Sequence, residues 1–165
     1  MKHILTFLIM ILLSISVSAG ASDTVEGPKN CKQCGMDRVA FARSRMLVVY
    51  ADGSTVGVCS LHCAAAEQQR NRDKQVSSFM VADYTTKKLI DAGTAVWVIG
   101  GKKQGVMTAL AKWAFAKTED ARRFVAENGG MVISFDQAMN SAIKEVSDQA
   151  AEERDVEREM LRELR

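Results

Sequence analysis

Beyond its first 21 residues the chain has no long apolar run, so no later segment reads as a membrane-spanning helix. It has no basic stripe interleaved with aromatics, which sets nucleic-acid binding aside. Paired carboxylates, a phosphate-cradling glycine loop and a locally supported Ser-His-Asp arrangement are all missing, so no catalytic activity is expected. A single proline interrupts 165 residues that are 47% apolar and 25% charged, an ordinary composition for one globular core.

Residues 1–21 are expected to stand outside that core. Met1-Lys2-His3 is a basic start, 4–17 is an apolar run, and Ala19-Gly20-Ala21 is a small-residue processing site. This pattern is that of a secretory signal peptide and predicts an exported protein. No cysteine stands at the processing site, so a lipid anchor is not expected. Without Lys2 the chain has 21 basic and 20 acidic residues; the 28 residues of 138–165 hold 5 and 8 of these.

What the chain does have is soft ligands in tight groups. Cys31-Lys32-Gln33-Cys34-Gly35-Met36 places two thiols and a thioether within six residues. Cys59-Ser60-Leu61-His62-Cys63 adds two thiols and an imidazole, and Gly105-Val106-Met107 adds a second thioether. Thiolate, thioether and imidazole suit Cu(I); thiolates and imidazole also suit Zn(II). In an oxidising compartment four cysteines also permit structural disulfides, although such tight pairs close only tiny loops. Three readings stay open. The first is a Cu(I) carrier using Cys34, Met36, Cys63 and Met107, with Cys59 and His62 assisting. The second is a structural zinc site of Cys31, Cys34, Cys59 and Cys63. The third, a thiol–disulfide enzyme using Cys31 and Cys34, is weakened because no helix signal follows Cys31. Met36, Met107 and His62 also have plainer readings as core or surface residues.

Residues 22–30 read as a flexible leader. Strands are expected at 45–50 and 54–58, joined by an Asp52-Gly53 turn. Ser60 is placed as the N-cap of a helix over 61–70, and a strand follows at 75–82. The order then recurs: strands at 96–99 and 104–108, a helix from Thr118 through 126 stopped by Asn128-Gly129-Gly130, and a strand at 131–135. A shift of 48 aligns Val48 with Val96 and Cys59 with Met107; after the helices a shift of 53 aligns Asp83 with Asp136. The expected fold is therefore α+β: two pseudo-repeated β-β-α-β units in one domain over 31–137, plus a C-terminal helix. That helix, 138–165, carries an amphipathic stripe interrupted by Glu153 and Glu157 and reads as a solvated or loosely docked tail.

These residues carry a family resemblance. Cys31-x-x-Cys34-Gly35-Met36, Val81-Ala82-Asp83-Tyr84 with Leu89-Ile90-Asp91-Ala92, Gly105-Val106-Met107, and Gly129-Gly130 leading to Ser134-Phe135-Asp136 resemble the NosL family in order and spacing. That family comprises copper-binding accessory proteins of nitrous oxide reductase maturation. The resemblance implies two β-β-α-β units related to part of the organomercurial lyase fold. It also implies a periplasmic Cu(I) metallochaperone whose partner is a copper-accepting protein such as nitrous oxide reductase or its assembly machinery. Carried over by position, the copper-linked residues are Cys31 or Cys34, Met36 and Met107. The chain departs from the family pattern in lacking the lipid-attachment cysteine, in having Val106 where proline is expected, and in adding Cys59, His62 and Cys63.

Overall fold

The computed structural model describes residues 26–164. The expected signal segment, 1–21, and leader residues 22–25 lie outside the described residues.

The first unit opens with a hairpin. Strand β1 (Met46–Tyr50) alternates buried and half-buried residues, and β2 (Thr55–Val58) returns against it with Val48 opposite Val56. Asp52 Oδ1 accepts from Ser54 N at 2.8 Å, and Gly53 takes the positive φ the turn requires. Helix α1 (Leu61–Arg70) follows, then β3 (Val76–Ala82) on the other side of β1 and a short edge strand β4 (Leu89–Asp91). The sheet order is β2-β1-β3-β4, antiparallel throughout.

The second unit repeats the scheme with β5 (Val96–Ile99), β6 (Lys112–Phe115), helix α2 (Thr118–Asn128) and β7 (Met131–Ile133), in the order β6-β5-β7. In both units the first strand is central and the helix connects its two neighbours. The expected pair of β-β-α-β units is present. Buried Asp83 ties the units together: one carboxylate oxygen accepts from Thr86 at 2.6 and 2.9 Å, the other from Ala116 N at 3.0 Å.

One strand lies elsewhere than expected. The returning strand of the second unit is 112–115, not 104–108, and 100–111 is an irregular excursion between β5 and β6. Trp113 and Phe115 bury far more apolar surface than Val106 and Met107, so they win the place beside β5. The repeat register moves with it. Cys59 stands two residues before α1 and Ala116 two before α2, so Ala116 is its counterpart, not Met107. Met107 instead sits in the excursion with φ +58°.

Helix α3 (Phe135–Glu163) begins at a capping box made by Ser134 and Gln137. Its first half is part of the core, not a loose tail: Ala138, Met139 and Ala142 are buried. Gln69 of α1 donates to Ile143 O at 3.1 Å and to Ser147 Oγ at 3.2 Å. From 151 onward the described helix is exposed, including Val156, Met160, Leu161 and Leu164.

Arg38 is fully buried against β2. A Cβ added at Gly57 would lie 2.6 Å from its Nη1 and 2.7 Å from its Cζ. The guanidinium is bonded on several sides and has little room to yield. Gly57→Ala is expected to destabilise by about 2 kcal/mol or more. Gly53→Ala, strained in φ but with open space around it, should cost about 1 kcal/mol. Urea unfolding of both variants checks the order.

Candidate metal centre

The Cys31–Met36 stretch closes on itself. Cys31 N donates to Met36 O at 2.8 Å and Gly35 N to Cys31 O at 2.9 Å, with Gly35 at φ +76°. Lys32 N donates to Gly57 O at 3.0 Å, which fastens the turn to β2. The chain then leaves β2 at Cys59 and enters α1 through Ser60. Ser60 is the N-cap, as its position before an apolar stretch predicts, and its side chain accepts from Cys63 N. Cys59 and Cys63 thereby flank the first helical turn and face the Cys31–Cys34 turn.

The structure brings all four cysteines together as free thiols, their sulfurs within 4.8 Å of one another. Cys34 Sγ lies 3.5 Å from Cys59 Sγ and 3.7 Å from Cys63 Sγ, and Cys59 to Cys63 is 3.7 Å. Four sulfurs around a zinc ion at the usual Zn–S length would be about 3.8 Å apart. Cys31, Cys59 and Cys63 are buried; Cys34 alone is half-buried.

Thiols this close ionise as a group. Cys31 is held far below the ordinary thiol range, because the Cys59 and Cys63 thiols and the Cys34 and Gln33 amide hydrogens favour its thiolate. Cys59 is pushed up to about 12, first by the adjacent Cys31. Cys63 is pushed up by Cys31, by Cys59 and by burial. One thiolate forms readily and the next ones wait for a cation.

Two groups that sequence reading did not single out hold this geometry. Arg38 donates from Nε to Val58 O (3.2 Å), from Nη1 to Glu26 O and Pro28 O (both 2.7 Å) and from Nη2 to Met46 O (3.1 Å). It also supplies a positive charge next to the thiols. Buried Glu67 of α1 accepts from Tyr50 Oη at 2.7 Å, from Asn71 at 3.0 Å and from Gln33 between the two cysteines of the turn. No periodicity in the sequence announces either residue.

Of the other expected ligands, Met36, Met107 and His62, the last lies outside the group that the four sulfurs form. Met36 and Met107 line one cleft of about 540 Å³ together with Phe41 and Trp113. His62 faces a different, small cavity beside Val106, Thr108 and Lys112, with its Nδ1 buried and unpartnered. Lys112 there pairs with Glu145 of α3 at 2.7 Å, and Thr108 Oγ1 joins Glu145 at 2.5 Å, anchoring the excursion that carries Met107. Burial holds the His62 imidazole below its usual pKa, with Glu145 opposing and Lys112 adding to the shift.

Four thiols gathered by the first of two sheet-helix units, with two thioethers lining a cleft, define a candidate soft-metal centre on an α+β scaffold. The chain belongs to the NosL family, whose model matches residues 23–143. The crystal structure of the copper chaperone NosL from Shewanella denitrificans is similar in fold: the TM-score is 0.54 at 20% identity, over 68% of this chain and 91% of that one. No curated protein matches the chain.

A metal that takes all four sulfurs must displace their protons. Binding near pH 7 to all four sulfurs should therefore release more protons per ion than binding to a site that shares thioethers. Calorimetry in buffers of different ionisation enthalpy measures this directly. His62 sets a second expectation for the reduced, metal-free protein. Its folded pKa lies below the unfolded value of about 6.5, so its neutral form favours the fold above that pH. That stability is lost as pH falls through about 6.5 toward the folded pKa. Urea midpoints from pH 8 to pH 5 should fall, and should fall less in His62→Gln.

Proposed function

We propose that the protein is a periplasmic Cu(I) carrier that receives one ion and passes it to a copper-accepting protein, such as nitrous oxide reductase or its assembly machinery, without catalysis of its own. The observation that carries this reading is the placement of Cys34. It is the half-buried member of a crowded thiol cluster, and two residues further on Met36 lines the cleft that also holds Met107. A carrier needs affinity and a way out. Buried thiolates provide the first. A donor at the edge, beside neutral thioethers, provides the second through stepwise exchange of ligands. Family membership and the fold shared with a copper chaperone support the same reading. Export follows from the expected signal segment, and a bacterial periplasm is the compartment that suits the family.

A second reading has its own observation. The 3.5–3.7 Å spacing of three sulfurs suits tetrahedral all-thiolate coordination, so the cluster also fits a structural zinc ion. The protein would then be an interaction module closed by that ion. A pair of disulfides has less support, since the four thiols are free.

Competition between chelators of known affinity separates the two. Reduced protein is titrated with Cu(I) and with Zn(II), and the urea midpoint is followed in parallel. The carrier reading expects one tightly held Cu(I), weakened at least tenfold by Cys34→Ser or Met107→Leu while the fold persists. Preferential zinc binding, with unfolding on zinc removal and no effect of Met107→Leu, overturns it.

A further inference from the structure

The cleft beside the thiols has a chemistry of its own. Of its lining side chains none is acidic. Met36, Phe41, Met107 and Trp113 supply apolar surface, and Arg43 and Lys87 are its charged residues. The chain as a whole is nearly neutral, at +2, so this bias is local. Lys102 and Lys103 are exposed and precede the Gln104 that lines the same cleft.

These cations are not already paired. Lys87 is exposed and makes no ion pair among the described residues. Arg43 bonds the Tyr84 carbonyl through Nη1 and lies 5.1 Å from the Tyr84 ring centre. Neither contact neutralises it. A third observation concerns Trp113. It is 7% exposed, it lines the cleft, and its indole N–H is buried without an acceptor. A buried donor left unpaired costs about 1–3 kcal/mol. Residues 104–107, which also line the cleft, have no regular secondary structure. An occupant that brings negative charge would complement Arg43 and Lys87.

We propose that the cleft is the docking site for an acidic segment of the protein that accepts the metal. Carboxylates of that segment pair with Lys87 and Arg43, and its apolar side chains lie against Phe41, Trp113 and the two thioethers. Charge of this kind steers encounter and fixes register more than it adds raw affinity. It would place the partner's own metal ligands against Met36 and Met107. The partner's role as metal acceptor rests on the carrier reading; the docking chemistry does not, so it is tested without metal.

The probe is a capped five-residue peptide of alternating glutamate and methionine, titrated by calorimetry into the reduced, metal-free full chain. Its control has glutamine in place of glutamate. The acidic peptide is expected to bind at least tenfold more tightly at low salt, with the advantage shrinking as salt is raised. Lys87→Glu should abolish the preference while leaving the urea midpoint and Cu(I) affinity unchanged. Equal binding of the two peptides, or a preference that survives Lys87→Glu, overturns the proposal. Glutarate binding as tightly as the peptide also overturns it, and assigns the cleft to a small dicarboxylate. Copper binding is measured separately on the same samples, so a failed carrier reading shows as lost metal affinity with peptide binding intact.

Discussion

A guanidinium removed from water has to be satisfied by oxygen, and Arg38 finds four main-chain carbonyls for the purpose. They belong to three separated stretches: the leader at Glu26 and Pro28, the start of β1 at Met46, and the end of β2 at Val58. Hydrogen bonds from a charged donor are worth about 1.5–3 kcal/mol each, and the carbonyls would be left bare without it. The consequence is positional. Val58 precedes Cys59, and Arg38 N bonds Lys29 O, just before Cys31. The same side chain therefore sets the distance between the two cysteine-bearing stretches and lends them its charge. The nearest carboxylate partner, Glu26, is taken by Arg45 at 2.7 Å. Arg38 therefore shares the Glu26 carboxylate with Arg45, and the Cys31 and Cys59 thiols are the further groups whose negative charge it faces.

Much of this was legible because local chemistry and global fold agree in the first unit. The Asp52-Gly53 turn, the alternation of β1 and the Ser60 cap all point to the observed elements, and the observed helix 61–70 has the expected bounds. The two cysteine pairs were recognisable as one potential site from their spacing. The second unit was harder. Val106 and Met107 after Gly105 look as strand-like as Trp113 and Phe115, and short apolar runs do not declare which of them pairs. The choice is made by burial against α2 and β5, which no local pattern records. In α3 the docked face relies on Ala138 and Ala142, small residues that permit close approach but hardly register as a hydrophobic stripe. Arg38, Glu67 and Lys112 were invisible for a common reason: each acts across the chain on main-chain carbonyls or a distant partner, a relation without a period.

The two units are alike in topology and unlike where chemistry is concerned. The first joins its hairpin strands through four residues, the second through the twelve of 100–111. The extra length carries Met107 out to the cleft, and Lys112, Thr108 and Glu145 fasten it to α3. The first unit supplies its thiols where β2 leads into α1 and in the turn before β1, not at its hairpin connection. The candidate site thus spans the junction of that turn and the long loop, which line one cleft. It also divides into a deep part and an edge: three buried sulfurs whose positions are fixed by the core, and Cys34 beside Gly35, around which nothing crowds.

That division bears on which metal the site favours. Four thiolates around zinc leave a net charge of about −2, and around Cu(I) about −3. Arg38 offsets one of these charges in a core where an unbalanced ion is costly. Zinc returns enough attraction to draw protons from all four thiols, including Cys59 and Cys63, whose charged forms the metal-free protein disfavours. Cu(I) brings half the charge and is content with fewer ligands. For it, an arrangement that kept one or two of the buried thiols protonated and completed the shell with uncharged sulfur would bury less charge. On the cleft side, Met36 and Met107 are thioethers that could supply that sulfur. On the carrier reading, Cu(I) would then sit toward the edge of the cluster, at half-buried Cys34, where a ligand from another protein can reach it.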